Sequence, residues 1–371
     1  MGTTPSPALA KPARRPSLLR TTRVMVVDDS LIVRTVLARI IGKEPDLDVV
    51  CTVSSAELAL KQLNRTPVDV VVLDLEMPGI GGLGALPDIL SCAPQVQVLV
   101  VSSLTADGTE HALTALSMGA ADTLAKPHAG EFGDTYGATL VEKIRALGTS
   151  RTAREYARAA PPHPAQRQPS LRKPNHERPR LLAIGASTGG IHAMCTFLEN
   201  LPQHFDLPVI ITQHLPASFM PVFARQLELA SSRAARVAID GMLLEPGTLY
   251  IAPGDGHLTV RPAGKKLAIQ ITQTPAPSGC LPSVDPMLES LVRALDGKAV
   301  AIILSGMGRD GAIGAAKLAE AGGTIFAQDQ DSAAVWGMPR AVAELGLASA
   351  ILPPADLSKA VMRAAGAAAW K

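Results

Sequence analysis

Two α/β domains, each a doubly wound parallel sheet, are the fold this sequence predicts. Apolar runs of strand length alternate with helical stretches roughly every 20 to 30 residues, the pattern of a parallel sheet covered on both faces. The alternation stops once, between Gly148 and Pro179, and then resumes. With 371 residues, 47% of them hydrophobic, the chain can bury two cores. Only 3% of residues are aromatic, which favours α/β layers over an aromatic-rich β-sandwich.

The first unit opens with a strand over Val24–Val27, followed by Asp28, Asp29 and Ser30. LIVRTVLARII then places Leu31, Val36, Leu37, Ile40 and Ile41 at helical spacing. Further strands are expected at Val49–Thr52, Val68–Leu73 and Val96–Val101, with helices between them such as Ala56–Leu63. A short strand near Ala121–Leu124 leads to a helix around Tyr136–Leu147. From Gly148 to Pro179 the composition is Pro, Arg and Gln with few apolar side chains, which predicts an extended linker. A surface helix over Arg151–Ala160 stays open for one end of it.

The second unit repeats the strand–loop–helix pattern, with strands expected at Leu181–Ile184, Val209–Thr212, Thr248–Ile251, Ala299–Leu304 and Thr324–Ala327. Antiparallel strand is expected around Gly256–Ile271, and the tail ends in Ala-rich helix. Glycine-rich loops at Gly185–Gly190 and Gly306–Gly311 each follow a strand and open a helix.

Several function classes are excluded. The first 23 residues carry Lys11, Arg14, Arg15, Arg20 and Arg23 but no apolar run of signal-peptide length. No stretch approaches the roughly 20 apolar residues of a membrane span. Cys51, Cys92, Cys195 and Cys280 lack metal-ligand or redox spacing and read as free thiols of a reducing cytoplasm. Net charge is +2, yet the tail and the linker are both strongly basic, so the folded units are net acidic. That argues against a nucleic-acid-binding module.

Ligands of open parallel sheets bind outside the carboxyl ends of strands. Asp28, Asp29 and Asp74 fall there, with Ser102 at the end of a third strand and Lys126 after the last. Clustered carboxylates call for a hard divalent ion such as Mg²⁺. Carboxylate, cation, hydroxyl and ammonium together can hold a phosphoryl group on an aspartate. Singly, Asp28 and Asp29 would serve as helix caps, and Asp74 would open a turn ahead of Pro78. The full set, in order and each at a strand end, favours the phosphorylation reading. The segment resembles the receiver domain of two-component response regulators, on VVDDS, LDLEMP, VSS and LAKP. The resemblance implies a flavodoxin-like fold, Asp74 as phosphoacceptor, Ser102 and Lys126 as switch residues, and a histidine kinase as phosphodonor. LEMPGIGGL and VSSLTADG are closer still to receivers attached to chemotaxis methylesterases.

In the second unit Ser187 lies in G-A-S-T-G, where a strand turns sharply into a helix. Backbone N–H groups at such a helix start can stabilise an oxyanion. A serine hydroxyl needs a base. His214, after the strand at Val209–Thr212, is the leading candidate over His192 and His257. Asp310, after the strand at Ala299–Leu304, is the candidate to orient it. The order Ser, His, Asp differs from the Ser, Asp, His of α/β-hydrolases. The bland alternatives are a helix cap for Ser187, a hydrogen-bonded core residue for His214 and a helix cap for Asp310. Gly306, Gly308 and Gly311 also match a dinucleotide fingerprint, but Asp310 would put a carboxylate where pyrophosphate binds.

Residues 181–352 resemble the catalytic domain of the CheB family of chemotaxis protein-glutamate methylesterases, on GASTGG, TQHLP, PSVD, SGMGRDG, AQD and VWGMP. The resemblance implies a Rossmann-like fold with Ser187 as nucleophile, His214 as general base and Asp310 as orienting acid. It also implies Thr188, Gly189 and Met307 as the substrate and oxyanion loop, with no cofactor in this domain. The organisation expected is a basic tail (1–22), a receiver (23–147), a linker (148–179), a methylesterase domain (180–355) and a helical tail (356–371). The substrates implied are methyl-accepting chemotaxis receptors, reached from the cytoplasm by recruitment to receptor arrays without membrane insertion. Leu281 stands where the family usually has an arginine before PSVD. A response regulator with a non-catalytic, protein-binding output domain and a general carboxylesterase or peptidase are the rival readings.

Overall fold

The first sheet forms because its strands are apolar on both faces. In the computed structural model, which describes residues 21–103, 105–127, 133–159, 170–173 and 177–366, Val24 to Val27 and Val70 to Leu73 are all essentially inaccessible to solvent. These residues belong to β1 (Thr22–Val27) and β3 (Val70–Asp74). α1 (Leu31–Ile41) and β2 (Leu47–Val53) lie between them in sequence, followed by α2 (Ala56–Leu63). The unit continues through α3 (Gly81–Cys92), β4 (Gln97–Ser102), α4 (Ala106–Met118), β5 (Asp122–Ala125) and α5 (Asp134–Ala159). All pairings are parallel, in the order β2-β1-β3-β4-β5. The order reverses direction at β1 and β3, so their carboxyl ends flank the crevice where doubly wound sheets bind ligands. The cap of α1 is Ser30, whose Oγ accepts from Val33 N, and Asp28 Oδ1 accepts from Ser30 N.

The second unit contains β6 (Leu182–Ala186), α6 (Gly190–Glu199), β7 (Val209–Gln213), α7 (Met220–Ser231), β8 (Ala235–Val237) and β9 (Leu249–Ile251). A hairpin of β10 (His257–Ala263) and β11 (Lys266–Thr272) follows, the antiparallel element the sequence predicts. α8 (Val284–Leu295), β12 (Val300–Ile303), α9 (Ala312–Glu320), β13 (Thr324–Gln328), α10 (Met338–Glu344), β14 (Ala350–Leu352) and α11 (Pro354–Ala364) complete it. The seven strands run parallel in the order β14-β13-β12-β6-β7-β9-β8. β6 lies between β12 and β7, so the segments carrying Ser187, His214 and Asp310 leave adjacent strands at one edge.

Two features differ from the sequence reading. β8 and β14 have only three residues each, too few to show a period, and both are edge strands. α5 runs on to Ala159, past Leu147, so this end of the expected linker takes the helical alternative. Arg151–Ala159 is rich in Ala and Arg and the first proline is Pro161, so nothing stops the helix earlier. Residues 1–20, most of the rest of the linker and residues 367–371 lie outside the described residues. Among the described residues no helix is long and apolar enough to cross a membrane.

The start of α3 lies directly against the strand that bears Asp74. A Cβ on Gly82 would stand 2.0 Å from the Asp74 carbonyl oxygen, and backbone cannot give way cheaply. Gly82→Ala should therefore destabilise the first unit by about 1–3 kcal/mol and impair Asp74 phosphorylation. Urea denaturation checks this, and an unchanged midpoint would show that the approach is not tight.

Candidate active site

Ser187 follows β6 in a turn that only small residues permit. Gly189 caps α6 with φ 74°, and a Cβ there would meet Ala334 Cβ at 2.4 Å. Across the strand ends, a Cβ on Gly306 would stand 2.9 Å from Ser187 Cβ, so glycine lets the SGMGRDG loop close on the serine. Ser187 N donates to Ser305 O, and Ser187 O accepts from Gly190 N and from Gln213 Nε2. Ser187, Thr188, Gly189, Gln213, His214, Cys280 and Met307 line one cavity of about 270 Å³.

Asp310 is 4% exposed and saturated with donors. Its Oδ1 accepts from Ser283 Oγ at 2.7 Å and Gly311 N at 3.0 Å. Its Oδ2 accepts from Val284 N at 2.8 Å and pairs with His214 Nε2 at 2.8 Å. Burial alone would raise its carboxyl, but these donors, His214 first among them, bring it down to about 2. Burial likewise disfavours a charged His214, yet the bond it donates to the Asp310 carboxylate, with Cys280 adding, carries it up to about 9. The structure thus brings His214 and Asp310 together beside Ser187. Ser187 Oγ makes no hydrogen bond to His214 among the described residues, and the Cys280 sulfur stands within 4.8 Å of an imidazole nitrogen.

The rival histidines are engaged elsewhere. His257 is buried, with Nε2 on Thr274 O and Nδ1 accepting from Ser283 N, so it supports the residue that holds Asp310. His192 Nδ1 meets Ser117 O at the end of α4, in the first unit. That contact belongs to a seam between the two units. Gly189 N donates to Ala121 O at 2.6 Å, Thr188 Oγ1 donates to Asp122 Oδ2 at 2.7 Å, and Gln226 Nε2 donates to Ser117 Oγ at 2.7 Å. Lys143 Nζ holds the same Asp122 Oδ2 at 2.7 Å. Ala121, Asp122 and Lys143 accordingly line the cavity of Ser187.

At the first sheet's crevice, Lys126 Nζ lies 2.7 Å from Asp74 Oδ2 and 3.3 Å from Asp28 Oδ2. Carboxylate oxygens of Asp28, Asp29 and Asp74 lie within 4.8 Å of one another. Asp28 and Asp74 are buried, and among the described residues Asp28 Oδ2 accepts no hydrogen bond. Burial raises the Asp74 carboxyl to about 6, with Lys126 opposing and the Asp28 charge adding. Buried, mutually repelling oxygens with an unfilled lone pair fit a small hard cation. Ser102 is buried at the end of β4, and Lys126 N donates to its carbonyl.

Known proteins match across both units. Residues 182–361 match the model of the CheB methylesterase family, and residues 24–132 that of the response regulator receiver domain. A protein-glutamate methylesterase/protein-glutamine glutaminase of Rhodospirillum rubrum is 39% identical over 368 residues, covering 92% of this chain and 95% of that protein. The chain belongs to the CheB family of protein-glutamate methylesterases. Another family member, from Caulobacter vibrioides, is 43% identical over 337 residues, covering 89% of this chain and 95% of that protein. The crystal structure of the Thermotoga maritima CheB methylesterase catalytic domain is 34% identical, covering 50% of this chain and 99% of that chain, with a TM-score of 0.49.

Sequence reasoning missed Ser283 and Val284 as the clasp on Asp310, although PSVD is a motif of the family. It missed Gln213, although that residue lies in the TQHLP motif, and it missed Cys280, Ala121 and Asp122, which act through tertiary contact. The dinucleotide reading of the Gly306–Gly311 loop fails because Asp310 fills the loop with a hydrogen-bonded carboxylate.

Because the folded His214 value lies above the unfolded 6.5, its pairing stabilises the fold fully below about 6.5 and fades as pH rises through about 9. Asp310→Asn should lower the His214 value, since Cys280 alone then opposes burial. NMR titration of the imidazole reads this, and a value still near 9 would mean that Asp310 is not what charges it.

Proposed function

We propose that this CheB-family chain hydrolyses glutamate γ-methyl esters on chemotaxis receptors by a Ser187–His214–Asp310 mechanism, under control of phosphorylation at Asp74. The observation that carries it is the His214 Nε2 to Asp310 Oδ2 bond at 2.8 Å, in the cavity that exposes Ser187. With Nε2 held there, Nδ1 is the nitrogen left to take the proton of Ser187. Ser187 Oγ attacks the ester carbonyl, His214 in its neutral form accepts its proton, and Asp310 stabilises the resulting imidazolium. The same proton passes to the departing methoxide, and methanol leaves. Water, deprotonated by His214, then attacks the acyl carbon; the bond to Ser187 Oγ breaks, Oγ takes that proton back, and the glutamate carboxylate is released. A glutamine amide in place of the ester would release ammonia.

The seam supports occlusion as the means of control. The Ala121 carbonyl accepts from Gly189 N, a donor that a tetrahedral oxyanion would otherwise use. Phosphate on Asp74 would draw on Lys126 and Ser102 and bias the receiver away from Ser187. Asp28, Asp29 and Asp74 would hold Mg²⁺, which when bound neutralises the phosphoryl oxygens. A chemotaxis histidine kinase is the phosphodonor in this account, and the chain works in the cytoplasm at receptor arrays.

Ser187→Ala should keep the fold and cut methanol release at least about 10³-fold. Near-normal turnover by a folded variant would end the assignment. Asp122→Ala removes a charge-assisted bond at the seam and should raise the unphosphorylated rate by up to about tenfold. A rate at or below the parent's would count against occlusion at this contact. Labelled phosphodonor should give a hydroxylamine-labile acyl phosphate that is absent in Asp74→Asn; full labelling of that variant would point to another acceptor.

A further inference from the structure

The cavity of Ser187 contains a thiol that ester hydrolysis does not use. Cys280 is half-buried, lines the same cavity as Ser187 and His214, and stands immediately before Leu281 and the clasp on Asp310. Cys280 Sγ, an imidazole nitrogen of His214 and a carboxylate oxygen of Asp310 lie within 4.8 Å of one another. This is one of two such donor groups among the described residues, and the other is the all-carboxylate cluster of the receiver.

The two groups differ in chemistry. Oxygen donors suit Mg²⁺, whereas a thiolate with an imidazole favours a softer ion such as Zn²⁺. Asp310 has no oxygen to spare, because its four close donors occupy both. It acts instead as the carboxylate behind a histidine, which fixes the ring and strengthens its other nitrogen as a ligand. With bonds of about 2.3 Å to sulfur and 2.0 Å to nitrogen, a tetrahedral ion needs these donors roughly 3.5 Å apart. The thiol stands within 4.8 Å of an imidazole nitrogen, so ligation asks for a closing movement of up to about 1.3 Å.

We propose that Cys280 Sγ and His214 Nδ1 form a binding site for a soft divalent cation of the Zn²⁺ class, with Asp310 orienting the imidazole and water completing the coordination, and that its occupation stops hydrolysis. Binding releases the thiol proton, and any proton on Nδ1, to solvent; no electron is transferred. The cation takes the lone pair with which His214 would accept the proton of Ser187. Only this inhibitory consequence rests on the proposed mechanism; the binding does not.

Co²⁺ as a spectroscopic stand-in for Zn²⁺ tests the site in the full-length Ser187→Ala chain, where turnover plays no part. One equivalent should give a thiolate-to-cobalt charge-transfer band, lost on adding Cys280→Ser or His214→Ala. A band that survives Cys280→Ser, or no band at all, would overturn the site. In the parent chain Zn²⁺ should inhibit methanol release reversibly, with recovery on chelation. Cys280→Ser should need at least about tenfold more Zn²⁺ for half-inhibition of its own metal-free rate. A Cys280-dependent band without inhibition would uphold the binding site, overturn its inhibitory role, and show that His214 is not the base for Ser187.

Discussion

One buried carboxylate organises the catalytic unit. An anion withdrawn from water is tolerated only when its lone pairs are filled, and Asp310 fills them from three parts of the chain. Gly311 N comes from its own loop, Ser283 Oγ and Val284 N from the start of α8, and His214 Nε2 from the end of β7. Satisfying that one charge therefore fixes the loop after β12, the entry to α8 and the tautomer of the imidazole at once. His257, buried beneath Ser283, extends the same support by one further bond. His214 lines a cavity that also holds a serine and a thiol, so the availability of the ring nitrogen left over decides what the site can do.

The receiver addresses the same edge of the sheet. β5 is four residues long, with Asp122 at one end and Lys126 just beyond the other. Asp122 reaches Thr188 in the catalytic loop, while Lys126 reaches Asp74 in the acidic crevice. A single short strand thus joins the proposed phosphorylation chemistry to the contacts that fill the nucleophile's cavity. Redistribution of charge around Lys126 would be felt at Asp122 without any long pathway. Helix α4, which supplies Ser117 to His192 and Gln226, widens the contact on α6 and α7.

Much of this was legible in the sequence because parallel sheets report themselves well. Strands such as Val70–Asp74 are continuous apolar runs, and their carboxyl ends place Asp28, Asp74, Ser187, His214 and Asp310 where ligands gather. Three-residue edge strands such as Ala350–Leu352 carry too little pattern to be read. The reach of α5 to Ala159 was hidden by Arg-rich composition that suits linker and surface helix equally. Cys280 and Asp122 were invisible for a different reason. Their partners lie 66 residues away in one case, Asp122 to Thr188, and across the sheet edge in the other, and no local spacing encodes such contacts.

The central claim is that the receiver holds a complete catalytic apparatus shut, so that removing it liberates activity. Methanol release from methylated receptor membranes tests this most directly, comparing residues 175–371 with the full chain at matched concentration and without phosphodonor. The account predicts that the fragment is the faster of the two. A fragment no faster than the unphosphorylated full chain would contradict it, and would mean that the receiver contributes something the catalytic unit lacks.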